Sequence, residues 1–176
     1  VMDQLRSPGG CPWDAEQTHE SLIKYLLEES YEFIDTVAES DRAGMREELG
    51  DILLQVYFHS RIAQDHPTDP FSIEDVAKVI TEKLISRHPH VFGDKKVSGS
   101  EEVVANWEEI KAAEKGRTSA LDGVALSQPA LSLINKLLYR AEKYGVDIEV
   151  PKHHADSPAT SESVGSALLA VIAWAL

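Results

Sequence analysis

Acidic side chains recur in this chain at a spacing that can gather them at one place. Glu29 and Glu32 are three residues apart in one stretch of helical periodicity, and Glu48 and Asp51 are three apart in the next. Residues three apart on an α-helix lie on the same face. Two such pairs on neighbouring helices can direct four carboxylates toward one point, which is the chemistry of a divalent cation site.

These carboxylates lie on the apolar sides of their helices. At about 100° per residue, Glu29 is about 20° from Leu22 around the helix axis, and Glu48 and Asp51 share a face with Gln55 on the next predicted helix. Desolvating carboxylates costs on the order of several kcal/mol each, and like charges at close range add to that cost. A bound divalent cation would compensate both.

The donor set indicates which metal to expect. Oxygen ligands with few imidazoles nearby favour Mg²⁺, or Mn²⁺ in its place, over zinc. A di-iron bundle requires Glu-x-x-His on two helices, and only Glu16-Gln-Thr-His19 has that spacing. The remaining alternative is that the carboxylates are solvated surface charges. We predict a magnesium site and keep solvated charge as the alternative.

The periodicity around these residues predicts an all-α fold. Hydrophobic residues recur every three or four positions, and Gly and Pro concentrate between the periodic stretches. We predict a four-helix bundle with additional C-terminal helices, in which Ser72 with Asp75 and Ser98 with Glu101 form N-terminal capping boxes. The main helices are expected at residues 18–39, 41–64, 72–87 and 98–115, a fifth helix at 129–145, and turns at 7–14.

The chain divides into two predicted parts. Residues 1–116 form a helical domain, and residues 117–176 form a helical extension with a polar linker at 151–161. The longest apolar run, at residues 164–176, is too short to span a bilayer, so we expect no membrane partner.

Charge and cysteine content exclude several classes of protein. The 176 residues include 17 Lys and Arg against 30 Asp and Glu, a net charge of −13. Such a surface repels phosphate backbones, so a nucleic acid duplex is not an expected partner. Cys11 is the single cysteine, which excludes an intrachain disulfide and a multi-thiolate zinc site and suits the reducing cytoplasm.

The acidic motifs resemble those of a known family. Glu28-Glu-Ser-Tyr-Glu32 followed by Glu48-Leu-Gly-Asp51 is similar to the signature of MazG nucleoside triphosphate pyrophosphohydrolases. The resemblance begins at Arg6-Ser-Pro-Gly-Gly-Cys-Pro-Trp-Asp14 and continues through Arg87-His-Pro-His-Val-Phe92 to Asn106-Trp-Glu-Glu-Ile-Lys111. It implies an all-helical enzyme, dimeric or larger, that hydrolyses nucleoside triphosphates to the monophosphate and pyrophosphate with Mg²⁺.

The resemblance also implies roles for individual residues. The metal ligands would be Glu29, Glu32, Glu48 and Asp51. Glu28 beside them is a candidate general base for the attacking water. The candidate nucleotide-binding residues are Lys83, Arg87, Trp107 and Lys111, with Lys83 and Arg87 on phosphate oxygens and Trp107 stacked on the base beside Lys111. The alternatives are a solvated helix end for Lys83 and core packing for Trp107.

The sequence therefore leaves three hypotheses about function. The first is Mg²⁺-dependent hydrolysis of NTPs or dNTPs at the α-phosphate, a housecleaning activity on the nucleotide pool. The second is a non-catalytic helical module for dimerisation or regulation, and the third is a pyrophosphatase restricted to particular deoxynucleotides. In each case we expect at least a homodimer, because so much apolar surface is hard for one small bundle to cover.

Overall fold

The computed structural model describes residues 1–116, 119 and 121–147 of the chain. Within these residues the chain forms helices and turns, which confirms the predicted all-α fold. The helices are α1 (Met2–Arg6), α2 (Pro12–Glu16), α3 (His19–Glu39), α4 (Arg42–Ala63), α5 (Ile73–Arg87), α6 (Pro89–Phe92), α7 (Ser100–Lys115) and α8 (Ala130–Lys143). Residues 1–111 form one compact unit, in which α3 and α4 pack together along their length.

Local capping makes α3 and α4 an antiparallel hairpin. Thr18 and Ser21 form a reciprocal capping box at the start of α3. Ser40 ends α3 in the left-handed conformation, with φ of 58°, and its N–H donates to carbonyls of the last turn. The Asp41 side chain then accepts from the N–H of Ala43, so α4 begins at once. The chain therefore reverses direction between residues 39 and 42.

The predicted capping boxes have different outcomes. At α5 the prediction is confirmed, because Ser72 and the carboxylate of Asp75 bond reciprocally. At α7 the prediction of Glu101 is wrong, since the N–H and hydroxyl of Ser98 donate to Glu102 at 2.8 and 2.7 Å. A capping box pairs the residue before the helix with the third residue of the helix. Because α7 begins at Ser100, its third residue is Glu102 and not Glu101.

The core of the first unit is small and includes the N-terminal segment. Met2, Leu22 and Phe58 are buried together, with Leu22 only 1% exposed. Trp13 lies edge-on to Tyr25 and Phe58, with ring centroids 5.9 and 6.4 Å apart. The short helices α1 and α2, which were not predicted, are thus held against the hairpin, α1 by Met2 in the core and α2 by the aromatic packing of Trp13.

One glycine is required where α1 meets α2. A Cβ at Gly10 would lie 2.2 Å from the carbonyl oxygen of Gln4 and 2.3 Å from that of Leu5. Arg6 stabilises the same segment, because its guanidinium donates to the carbonyls of Asp14 and Gln17. The Gly-Gly-Cys-Pro-Trp segment is therefore a tight structural turn.

Apolar side chains at helical spacing on α3 and α4 differ widely in exposure. Ala63 on α4 is buried, but Val37 on α3 and Leu49 on α4 are about half exposed. Each helix has a second apolar stripe besides the one that packs in the hairpin, and the periodicity alone does not distinguish them. The second stripes consist of Ile23, Leu27, Tyr31 and Ile34 on α3, and of Leu49, Leu53 and Tyr57 on α4.

The second compact unit begins at residue 112, and the structure describes it in part. Within it, the Arg140 guanidinium on α8 donates to the carbonyl of Asp122 at 2.8 Å. The predicted linker at 151–161 and the apolar run at 164–176 lie outside the described residues. The predicted domain boundary at residue 116 stays a prediction. Among the described helices, none is long and apolar enough to cross a membrane.

The α5 capping box yields a prediction about stability in acid. Hydrogen bonds from the backbone and side chain of Ser72 lower the pKa of Asp75 below its ordinary value of 3.8. A lowered folded-state pKa stabilises the protein above the unfolded-state pKa, and this contribution is lost as pH falls through the folded-state pKa. We expect Asp75→Asn to lower the melting temperature at pH 7, with a difference from the parent that shrinks below about pH 4.

Thermal melts between pH 3 and pH 7 measure this difference. Glu82→Gln, at an exposed position in the same helix but outside its first turn, is the matched control and should melt like the parent. A deficit for Asp75→Asn that stayed constant with pH would contradict the ionic part of the cap.

Candidate metal centre

The α3–α4 hairpin brings three of the predicted metal ligands together. Glu29, Glu48 and Asp51 each offer a carboxylate oxygen, and the three atoms lie within 4.8 Å of one another. All three side chains are half-buried. The spacing places Glu48 and Asp51 on one face of α4, and the antiparallel packing places Glu29 of α3 opposite them.

The fourth predicted ligand lies at the edge of this cluster. Glu32 is exposed and is not one of the three residues whose oxygens converge, but its charge is among the causes that raise the pKa of Glu48 and of Glu29. Glu32 is therefore near the cluster without being one of its converging groups.

The electrostatics of the cluster show that these carboxylates repel one another. Partial burial, followed by the charges of Asp51, Glu32 and Glu48, raises the pKa of Glu29 above its ordinary value of 4.5. Partial burial and then the charges of Glu32 and Asp51 raise the pKa of Glu48 from the same value. The folded chain thus holds negative charge at a place where ionisation is unfavourable without a counter-charge.

The residues present fit a hard divalent cation. The donors are all carboxylate oxygens, which are the ligands that Mg²⁺ and Mn²⁺ prefer. Oxygens that share one Mg²⁺ at about 2.1 Å are roughly 3 to 4 Å apart. The three oxygens within 4.8 Å need only a small closure to reach that spacing.

Glu28 lies beside this cluster on the solvent side. Its side chain is exposed, and its charge contributes to the raised pKa of Glu29. It is therefore a solvent-accessible carboxylate next to one of the converging groups.

Two of the four predicted nucleotide-binding residues meet at the end of α5. Arg87 is 7% exposed, and its guanidinium carbon lies 5.6 Å from the ring centroid of Trp107 on α7. The His88 ring packs edge-on to the same indole at 4.8 Å, while its Nδ1–H donates to the carbonyl of Leu84 at 2.6 Å. The indole is thus in contact with a cation and an imidazole of its own chain.

The other two predicted nucleotide-binding residues lie on the surfaces of their helices. Lys83 is exposed on α5, one turn before Arg87. Lys111 is half-buried on α7, with its Nζ 3.6 Å from a carboxylate oxygen of Glu108. Both are long cationic side chains that can change rotamer toward a polyanionic ligand.

The sequence did not indicate two polar pairs that the structure reveals. Nδ1 of His19 and Nδ1 of His59 are 2.8 Å apart, which joins the start of α3 to α4. Lys95 donates to the side-chain oxygen of Asn106 at 2.6 Å. Each pair joins residues that are distant in the sequence, so periodicity within one helix carried no signal for it.

Comparisons with known proteins agree on one family. A family model of the MazG nucleotide pyrophosphohydrolase domain matches residues 17–92, which include all four carboxylates. The nucleoside triphosphate pyrophosphohydrolase of Mycobacterium tuberculosis is 47% identical over 166 residues, which cover 94% of this chain and 49% of that protein. The enzyme of the same name from Escherichia coli K12 is 44% identical over 151 residues, with 84% and 57% covered.

A third relative has no assigned activity. An uncharacterized 26.1 kDa protein of Streptomyces cacaoi is 51% identical over 149 residues, which cover 84% of this chain and 61% of that protein. The chain thus spans between 49% and 61% of the length of these three relatives.

Repulsion within the carboxylate cluster yields a prediction about stability. A carboxylate whose folded-state pKa lies above its unfolded-state pKa destabilises the folded protein when it ionises. This destabilisation is absent below the unfolded-state pKa and fully present once pH has risen through the folded-state pKa. In the presence of EDTA, Glu48→Gln should therefore melt at a higher temperature than the parent at pH 7, because the amide is neutral and of similar size. This advantage should disappear as pH falls toward about 4.5.

Thermal melts from pH 4 to pH 8 test this expectation. Glu82→Gln, an exposed position inside α5, is the matched control for loss of one negative charge from the chain. A Glu48→Gln protein that melted below the parent throughout this range would show that the carboxylate makes a stabilising contact instead.

Proposed function

We propose that the protein hydrolyses nucleoside triphosphates to the monophosphate and pyrophosphate, because residues 17–92 match the model of the MazG nucleotide pyrophosphohydrolase domain. The observation that carries this proposal is the convergence of Glu29, Glu48 and Asp51 within 4.8 Å. Two relatives named nucleoside triphosphate pyrophosphohydrolase, at 47% and 44% identity, support the same substrate class.

The four carboxylates would bind Mg²⁺, or Mn²⁺ in its place. Glu29, Glu48 and Asp51 supply oxygens that already converge, and Glu32 joins them from its position beside Glu48. When bound, the cation supplies Lewis-acid stabilisation of the negative charge on the phosphate oxygens. It also offsets the repulsion that raises the pKa of Glu29 and of Glu48 in its absence.

The proposed reaction is attack by water on the α-phosphorus. A new bond forms between the water oxygen and the α-phosphorus, and the bond from that phosphorus to the oxygen bridging toward the β-phosphate breaks. Pyrophosphate then leaves with the electron pair. Glu28, exposed beside the ligands, accepts the proton of the attacking water.

The cations of α5 and α7 would bind the remaining phosphate charge. Arg87 and Lys83 are proposed to contact phosphate oxygens, since a guanidinium and an ammonium both form charge-assisted hydrogen bonds with them. Trp107 lies against the Arg87 guanidinium and fixes its orientation, while Lys111 on the next turn of α7 adds a second cation. We include all four in the proposed nucleotide-binding group.

We also propose that two copies of the chain associate. The exposed stripe of α3 and that of α4 lie on sides of their helices other than the carboxylate face, and Leu53 on α4 is 52% exposed. Exposed apolar stripes on two adjacent helices are typical of an interface between copies. The surfaces fit a homodimer or a larger assembly working on the nucleotide pool of the cytoplasm.

Metal dependence follows from the ligand assignment. Glu29→Gln and Asp51→Asn should each abolish pyrophosphate release from NTPs in Mg²⁺, because a neutral amide is a far weaker ligand than a carboxylate of nearly the same shape. Both variants should retain the helical circular dichroism of the parent, and EDTA should stop turnover by the parent.

The control for these variants is Glu39→Gln, which should keep full activity. Near-parental turnover by either ligand variant at saturating Mg²⁺ would contradict the metal assignment. A parent protein that binds Mg²⁺ but releases no pyrophosphate from any common NTP or dNTP would instead indicate a non-catalytic helical module.

Dimer formation predicts a particular sedimentation result. At micromolar concentration the chain should sediment with at least twice its mass of 19.4 kDa. Leu53→Asp should shift the protein toward monomer, because it places a charge on the exposed stripe, whereas Asp35→Ala on the exposed surface of α3 should not. A single species of monomer mass from the parent chain would rule out the assembly.

A further inference from the structure

A small cavity lies beside the carboxylate cluster, where α3, α4 and α5 come together. Its volume is about 240 Å³. The walls are mostly apolar and are formed by Leu26, Val56, Phe71 and Val76, together with the polar residues Gln55, His59 and Ser60. A pocket for a whole small-molecule ligand usually measures about 300 to 1,000 Å³. This cavity therefore suits one part of a ligand.

Two of the three polar side chains in the wall have unsatisfied atoms, whereas the Ser60 hydroxyl donates to the carbonyl of Val56. Gln55 is only 5% exposed, and its Oε1 is buried with no hydrogen-bond partner among the described residues. Nε2 of His59 is likewise buried without one, while Nδ1 of the same ring bonds to His19. A buried unsatisfied polar atom costs about 1 to 3 kcal/mol. Two of them in one cavity wall point to a ligand that supplies the missing hydrogen bonds.

The position of the cavity relative to the carboxylates matches the spacing within a nucleotide. Gln55 follows Asp51 by four residues on α4, and Leu26 precedes Glu29 by three residues on α3. Because the helices are antiparallel, both steps lead in the same direction, by about 5 to 6 Å at 1.5 Å per residue. That distance corresponds to the sugar between the α-phosphate and the base.

We propose that this cavity binds the base of the nucleoside triphosphate and that Gln55 and His59 read its edge. The inference rests on the proposed function, which places the α-phosphate at the carboxylates. The flat apolar base contacts Leu26, Phe71 and Val76, while its polar edge satisfies Oε1 of Gln55 and Nε2 of His59. Base preference would then depend on Gln55 and His59, two residues outside the acidic signature.

The surroundings of Trp107 favour this assignment over stacking of the base on the indole. Arg87 lies over the indole and His88 packs edge-on against it, so both side chains would have to move for a base to stack there. The cavity beside Gln55 needs no such displacement. The two sites predict different residues for base selectivity.

The experiment compares base selectivity in matched variants. Values of kcat/KM for ATP, GTP, CTP and UTP with Mg²⁺ are measured for the parent, for Gln55→Leu and for Gln64→Leu. The control replaces an exposed glutamine at the end of the same helix. Gln55→Leu should change the ratio of kcat/KM between the best and the worst nucleotide by about 10-fold or more. One lost hydrogen bond is worth roughly that factor in kcat/KM. Gln64→Leu should leave the ratio unchanged.

A melting curve separates recognition from packing. Since Oε1 of Gln55 has no partner among the described residues, Gln55→Leu should melt at or above the temperature of the unliganded parent. A second variant, Val76→Phe, fills the cavity and should raise KM for all four nucleotides by about 10-fold or more, with kcat changed much less. Unchanged base ratios in Gln55→Leu, or an unchanged KM in Val76→Phe, would overturn the proposal.

Titration with the four nucleoside 5′-monophosphates distinguishes failure of this proposal from failure of the proposed function. If the parent hydrolyses no triphosphate but binds the four monophosphates with an order of affinity that Gln55→Leu alters, the base site is supported and the hydrolytic function is wrong. If the parent hydrolyses triphosphates but Gln55→Leu lowers kcat/KM for every nucleotide by the same factor, the hydrolytic function is supported and the base site is wrong.

Discussion

Repulsion among carboxylates held close together is the constraint on which the rest of this structure depends. Glu29, Glu48 and Asp51 converge although partial burial and mutual charge raise the pKa of Glu29 and of Glu48. An isolated pair of helices would relieve this repulsion by moving apart. The hairpin must therefore be held by interactions elsewhere, and the structure supplies them at both ends.

At one end of the hairpin, Ser40 and Asp41 cap adjacent helix termini and leave almost no free chain between them. At the other end, Leu22 and Phe58 are buried under the N-terminal segment. The Arg6 guanidinium holds this segment through hydrogen bonds to backbone carbonyls, and Trp13 packs against Phe58. The carboxylates lie between the capped turn at one end of the hairpin and the buried core at the other. The N-terminal segment thus serves the site by holding the two helices at a fixed separation, and its side chains need not touch a ligand to do so.

The same two helices carry two distinct surfaces. One packs in the hairpin and includes both Leu22 and the carboxylates, and the other is the exposed apolar stripe that includes Leu27 and Leu53. Unsatisfied polar atoms of Gln55 and His59 add to the energetic cost of this arrangement. Repelling charges, unpaired polar atoms and exposed apolar side chains each destabilise an isolated chain, and binding of the proposed cation, nucleotide and second copy would relieve them.

The sequence by itself determined the long helices and which carboxylates share a helix face. Capping residues such as Ser72 with Asp75 act over three positions, and the faces of Glu29 and Asp51 follow from the helical repeat, so both are local properties. The family resemblance of the acidic motifs is also a property of the chain alone, and the match over residues 17–92 confirms it.

Only the tertiary structure decided which apolar stripe is buried and which groups meet across the fold. Leu22 and Leu49 look alike in the periodic pattern, but the packing partner that buries Leu22 belongs to a different helix. The contacts between His19 and His59 and between Arg87 and Trp107, and the unsatisfied oxygen of Gln55, also depend on the relative placement of helices. That placement results from packing between residues distant in the sequence, which the pattern within one helix does not encode.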